Sequence, residues 1–70
     1  MPFANLKVPA GLVDAGQKEE WVHTITQLYV DAFGEQARGN VMVLIDEVPD
    51  GGWGMGDEVL TLAKLTGSGS

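Results

Sequence analysis

Residues 14–34 read Asp-Ala-Gly-Gln-Lys-Glu-Glu-Trp-Val-His-Thr-Ile-Thr-Gln-Leu-Tyr-Val-Asp-Ala-Phe-Gly. Trp21, Ile25, Leu28 and Ala32 recur at steps of four, three and four, and Val22, Tyr29 and Phe33 widen that stripe. Lys18, Glu19, Glu20, His23, Thr24, Gln27 and Asp31 cover the other side. This is the pattern of an amphipathic helix of about five turns. Asp14 is placed to cap its N-terminus, with Gln17 three residues on as the reciprocal partner of a capping box. Gly34 stands where a helix C-cap wants a glycine.

The segments on either side have a different period. Phe3 to Val8 alternates, with Ala4, Leu6 and Val8 on one face and Phe3, Asn5 and Lys7 on the other, so a strand with one buried face is expected. Pro9-Ala10-Gly11 breaks it. Val41 to Val48 is expected to be a second strand. Its five apolar residues in a row, Val41 to Ile45, predict burial on both faces, as in the middle of a sheet. Strand, long helix and strand in that order predict a right-handed β-α-β crossover with parallel strands. Pro49-Asp50-Gly51-Gly52 is a turn by composition. Val59 to Leu65 alternates weakly and fits a short strand or a short helix. The expected class is α/β (α+β): a β-α-β subunit followed by a short C-terminal hairpin.

Composition narrows the possibilities. Seventy residues make one domain, and a domain this small buries only about 60% of its unfolded surface. There is no cysteine and one histidine, so neither disulfides nor a structural zinc site is expected to reinforce the core. Oligomerisation is the remaining remedy. It also follows from the pattern, because one helix covers one face of a two-stranded sheet and leaves the other bare. Ten acids against four bases give a net charge of −6. That argues against nucleic acid, whose binding needs clustered cations, and against anionic membrane surfaces. No stretch approaches the roughly 20 apolar residues of a membrane span, and no signal peptide is expected, which makes a cytoplasmic protein the default. Residues 1–65 are expected to form the domain. Residues 66–70 are expected to form a flexible tail, since Gly67-Ser68-Gly69-Ser70 has linker composition.

The start, Met1-Pro2-Phe3-Ala4-Asn5-Leu6-Lys7-Val8, then Gly11 and Gln17-Lys18, resembles the 4-oxalocrotonate tautomerase family. The second strand ends in Asp46-Glu47-Val48 and is followed by Gly52-Trp53-Gly54-Met55-Gly56, which is similar to that family's aromatic followed by Gly-x-Gly. The resemblance covers residues 2–65. It implies a β-α-β subunit in a homohexamer, a trimer of dimers, that uses no cofactor. It also implies that the proline exposed by loss of Met1 acts as general base, moving a proton between carbon and oxygen of a keto–enol pair in a small enol or 2-keto acid.

Pro2 has a physical claim of its own. A trimmed Met-Pro start leaves a secondary amine at the chain end. An α-amino group begins near a pKa of about 8, and an apolar pocket lowers it by disfavouring the charged form. An amine neutral at the working pH is a competent base, and the proline ring holds the nitrogen with little entropy left to lose. Position alone would leave Pro2 an ordinary second residue. Trp53, between glycines, is expected to wall the pocket and exclude water, or to anchor a subunit contact. Gly52-x-Gly54 lacks the third glycine and the following long helix of a dinucleotide fingerprint; a tight hairpin explains these glycines better.

The chain departs from the family at two positions. Where well-studied members carry an arginine after the glycine that follows the first strand, this chain has Leu12. Where they carry one in the second strand, it has Met42. Substrate contacts are therefore expected from Trp53, Leu12, Met42 and Arg38, the only arginine, which either grips one carboxylate or is solvated. Asp46 and Glu47 are neighbours on a strand, so they face opposite ways and cannot form a catalytic pair. Lys7 is read as a solvated strand residue or a substrate contact, and His23 as solvent-facing or interfacial. Two rival functions share these features. One is a proline-based hydratase, dehalogenase or decarboxylase with Glu47 activating water. The other is a non-catalytic oligomeric scaffold.

Overall fold

The computed structural model describes residues 2–67; Met1 and residues 68–70 of the expected tail lie outside the described residues. The order is β1 (Phe3–Pro9), α1 (Ala15–Phe33), a 3₁₀ helix (Glu35–Asn40), β2 (Met42–Val48), β3 (Trp53–Met55), β4 (Glu58–Leu60) and α2 (Leu62–Thr66). β1 and β2 pair in parallel, from Phe3 opposite Met42 to Pro9 opposite Val48. This is the β-α-β crossover expected from the alternation of periods.

The caps form as their residue types dictate. Asp14 Oδ1 accepts from the Gln17 backbone N–H at 2.8 Å, and Gln17 Oε1 accepts from the Asp14 N–H at 3.0 Å. Two of the helix's unpaired N-terminal donors are thereby satisfied. At the other end the Gly34 N–H donates to Val30 O at 2.8 Å, with Gly34 at φ 103°. That conformation suits glycine and turns the chain out of the helix.

β1 buries the expected face: Ala4, Leu6 and Val8 point inward, Phe3, Asn5 and Lys7 outward. Two other expectations are corrected. The apolar run in β2 is not buried on both faces, because its outward residues Met42 and Leu44 are 50% and 45% exposed. The sheet has two strands and α1 covers one side, so among the described residues no element covers the other. The expected helix stripe holds in part: Trp21, Ile25 and Tyr29 are half-buried, but the face is shifted toward Val30. Val30 is its buried residue, whereas Leu28 and Ala32 lie exposed. At about 100° per residue the apolar side chains of α1 span an arc of about 200°, wider than a two-stranded sheet can cover. The side nearest Thr26, Tyr29 and Val30 faces the strands.

The remaining segment is an arm. Pro49–Gly52 forms a turn closed by Gly52 N–H donating to Pro49 O at 2.8 Å, with Gly51 at φ 81°. β3 and β4 pair antiparallel through Gly56 and Asp57, both at positive φ, 61° and 69°. A two-residue hairpin loop demands that conformation, which matches the right-handed twist of the strands. The weakly alternating stretch after it divides into strand then helix. α2 closes at Thr66, one residue past the boundary expected from composition, where Thr66 Oγ1 donates to Leu62 O at 3.0 Å. Asp50 Oδ1 accepts from the Leu62 N–H at 2.6 Å and ties the turn to α2.

The core is thin. Val8, Val13, Val30 and Ala37 are its buried apolar residues, and no large side chain among the described residues is fully buried. The radius of gyration is 15.3 Å, against about 11 Å for a compact chain of this length. The accessible surface is 4905 Å², where a monomer of this mass exposes about 4,200 Å². Substituting Asp14→Ala removes the side chain that anchors α1 and should destabilise the fold by about 1 kcal/mol. Urea unfolding followed by far-UV circular dichroism checks this.

Candidate active site

Pro2 enters the ladder at the head of β1, where its carbonyl accepts from the Met42 N–H at 2.9 Å. Two expected site residues, Pro2 and Met42, are thereby neighbours. Pro2 lines a cleft of about 690 Å³ with Tyr29, Phe33, Gln36, Ala37 and Asn40. Tyr29 and Phe33 stand one helical turn apart and stack, with ring centroids 6.2 Å apart and planes inclined by 16°. The 3₁₀ helix supplies the rest. Gln36 Nε2 donates to Phe33 O at 3.1 Å, and Asn40 Nδ2 to Gln36 O at 3.4 Å. The walls are therefore two rings and two amides, without a charged side chain.

Trp53 and Leu12 lie in a second cleft of about 640 Å³, formed with Pro9, Met55, Leu60 and Leu65. It too is uncharged. The single polar side-chain atom there is Trp53 Nε1, which is buried and has no hydrogen-bond partner. Gly52 sets the approach of the hairpin to β2. A Cβ on it would stand 2.9 Å from both Pro49 O and Val48 Cγ1, closer than any carbon tolerates, so only glycine lets Trp53 sit here.

These clefts lie at opposite ends of β1. Pro2 precedes its first residue, while Pro9 ends it and Leu12 follows. Seven residues of strand span about 23 Å, so within one chain Trp53 does not wall the Pro2 cleft. Arg38 joins neither. Its guanidinium pairs with Glu35 (Nε to Oε1 2.8 Å, Nη2 to Oε2 3.1 Å) and donates to Gln27 Oε1 at 2.8 Å. Lys7 bonds Asp46 Oδ2 at 2.7 Å on the open sheet face, and Lys18 bonds Glu47 Oε2 at 2.7 Å on the helix face. The opposite orientation of the two acids follows from strand geometry, and Glu47 lines neither cleft. His23 is exposed on the outer side of α1.

Tyr29, Phe33, Gln36 and Asn40 escaped the reading from sequence. The aromatic pair at i, i+4 carried a signal, but it read as core stripe. Gln36 and Asn40 had none, since a polar loop gives no clue to which cleft it closes.

A model of the tautomerase enzyme family matches residues 2–63. The chain belongs to the tautomerase family. A probable tautomerase, K2, of Dickeya dadantii (strain 3937) is 41% identical over 61 residues, covering 87% of this chain and 90% of that one. Among solved structures, a 4-oxalocrotonate tautomerase isozyme from Methylibium petroleiphilum superposes with a TM-score of 0.72 at 33% identity, over 83% of this chain and 90% of that one. DmpI from Helicobacter pylori gives 0.70 at 28%, over 84% and 95%. The tautomerase fold thus accounts for nearly the whole chain. Among the described residues no helix is long and apolar enough to cross a membrane, and no group of three or more acidic or histidine side chains could hold a metal ion.

The Glu35–Arg38 clamp makes a checkable statement. The hydrogen bond from Arg38, opposed in part by desolvation, holds the Glu35 carboxyl below its ordinary value of 4.5. Because the folded value is depressed, the stabilisation is present above 4.5 and is lost as pH falls through the lower folded value. Carbon-detected NMR titration should place the Glu35 midpoint below 4.5, and Arg38→Ala should return it toward that value.

Proposed function

We propose that this chain is a cofactor-independent tautomerase that interconverts the enol and keto forms of a small 2-keto acid, with Pro2 as the base once Met1 is removed. The observation that carries the reading is Pro2 at the head of β1, half-buried in a cleft walled by Tyr29 and Phe33. That setting disfavours a charged ammonium and leaves a lone pair to accept a proton. The ladder bond from Met42 and the proline ring hold the nitrogen in one place. The amine takes the enol hydroxyl proton as the C=O bond forms and returns a proton to carbon, so atoms and charge balance without a co-reactant. Gln36 and Asn40 present amide donors to the substrate's oxygens, shared between its carboxylate and the oxygen on which charge develops.

The working form in this reading is a homo-oligomer, a hexamer built as a trimer of dimers. Phe3, Met42 and Leu44 lie exposed on one sheet face, and Leu28, Met55 and Val59 lie exposed on α1 and the hairpin. Apolar surface spread this widely over a small chain is what an assembly buries. A second copy is also the route by which Trp53 meets Pro2, because the two clefts lie at opposite ends of β1 in one chain. Glu47, the acid of the hydratase alternative, is paired with Lys18 and lines neither cleft within one chain.

Pro2→Ala should lower kcat/KM for enol-to-keto conversion of phenylenolpyruvate by about 10²- to 10⁴-fold, while sedimentation shows the assembly intact. Equal activity would remove Pro2 as the base, whereas no turnover by either form would favour a non-catalytic scaffold. Intact mass spectrometry is the companion measurement. Protein that keeps Met1 carries an amide at Pro2 and should be inactive.

Sedimentation of the unmodified protein at micromolar concentration should show one closed oligomer. A stable monomer would overturn the assembly.

A further inference from the structure

Each of the four side-chain cations in the sequence already has an acid beside it. Lys7 is on Asp46 and Lys18 on Glu47, both at 2.7 Å. Arg38 is on Glu35 at 2.8 Å. Lys64 Nζ donates to Val59 O at 2.8 Å and stands 4.0 Å from Glu58. None of the four lines the Pro2 cleft or the Trp53 cleft.

From this we infer that the site takes a substrate with a single carboxylate and an otherwise apolar body, an aryl or alkyl enol or 2-keto acid, and discriminates against dicarboxylates. The inference rests on the reading of Pro2 as the base. One carboxylate can be met by uncharged donors: the amide nitrogens of Gln36 and Asn40 carry two hydrogens each, and one of each is engaged on the backbone. In the proposed oligomer, the apolar body suits Leu12, Trp53 and Met55 of a neighbouring copy, which line a cleft of about 640 Å³ in the size range of small-molecule sites. A second carboxylate placed there loses its hydration and finds no cation in return. The net charge of −6 per chain opposes a dianion at longer range as well.

The test measures kcat/KM for phenylenolpyruvate and 2-hydroxymuconate with wild type, Leu12→Arg and Pro2→Ala. Calorimetric binding of the unreactive pair 3-phenylpropanoate and adipate runs alongside. Wild type should favour the monocarboxylate, in turnover and in binding, by about tenfold or more, the factor a missing charge-assisted bond is worth. Leu12→Arg lies in an exposed loop and should shift the ratio toward the dicarboxylate by about ten- to a hundredfold. A wild-type preference for the dicarboxylate, an unmoved ratio in Leu12→Arg, or no binding of either acid would each overturn the inference. The two readings fail separately. Full turnover in Pro2→Ala with the monocarboxylate preference intact removes the base and leaves the substrate class standing. Loss of turnover in Pro2→Ala with a dicarboxylate preference does the reverse.

Discussion

The parallel pairing of β1 with β2 is the constraint on which the rest of the structure depends. Parallel strands need a long crossover, and α1 with its 3₁₀ extension supplies it. The register sets Phe3 opposite Met42, and the first bond beyond the strand runs from the Met42 N–H to the Pro2 carbonyl. Pro2 is thus a ladder residue whose nitrogen stands just outside the sheet, held by backbone rather than by side chains. A one-residue slip would turn Ala4, Leu6 and Val8 outward and move Pro2 off its cleft.

The same pairing explains why so much apolar surface stays uncovered. Two strands give one helix somewhere to lie and leave the reverse face open. The hairpin and α2 then project beyond the end of β2 and contribute little to the core. Their apolar residues, with those of the open sheet face, are spread over a molecule 47 Å long. The two uncharged clefts are separated by the length of β1, so any chemistry that uses both Pro2 and Trp53 belongs to an assembly.

Much of this was legible from local pattern. The capping box Asp14–Gln17, the glycine at position 34, the alternation of Phe3 to Val8 and the turn at Pro49–Gly52 are all decided by neighbours within a few residues. Backbone hydrogen bonding and steric preference act at that range. Pro2 as the candidate base was legible too, from its position and the motifs that follow. Periodicity misled at two places. It marked Val41 to Ile45 as doubly buried and counted Leu28 and Ala32 in the buried stripe of the helix. An apolar residue records that it is to be buried, not whether its own chain or another does the burying.

The sequence by itself determined the elements, their order, their caps and the absence of a strong cationic surface, because these depend on residue type and short spacing. Only the tertiary structure decided which residues share a cleft. Gln36 and Asn40 close on Pro2, Leu12 joins Trp53 at the far end of the strand, and Glu35 and Gln27 hold Arg38 away from both. Those outcomes depend on the register of two strands 39 residues apart in the chain and on how far α1 rotates over them. No local pattern encodes either, since both are settled by packing the whole β-α-β unit at once.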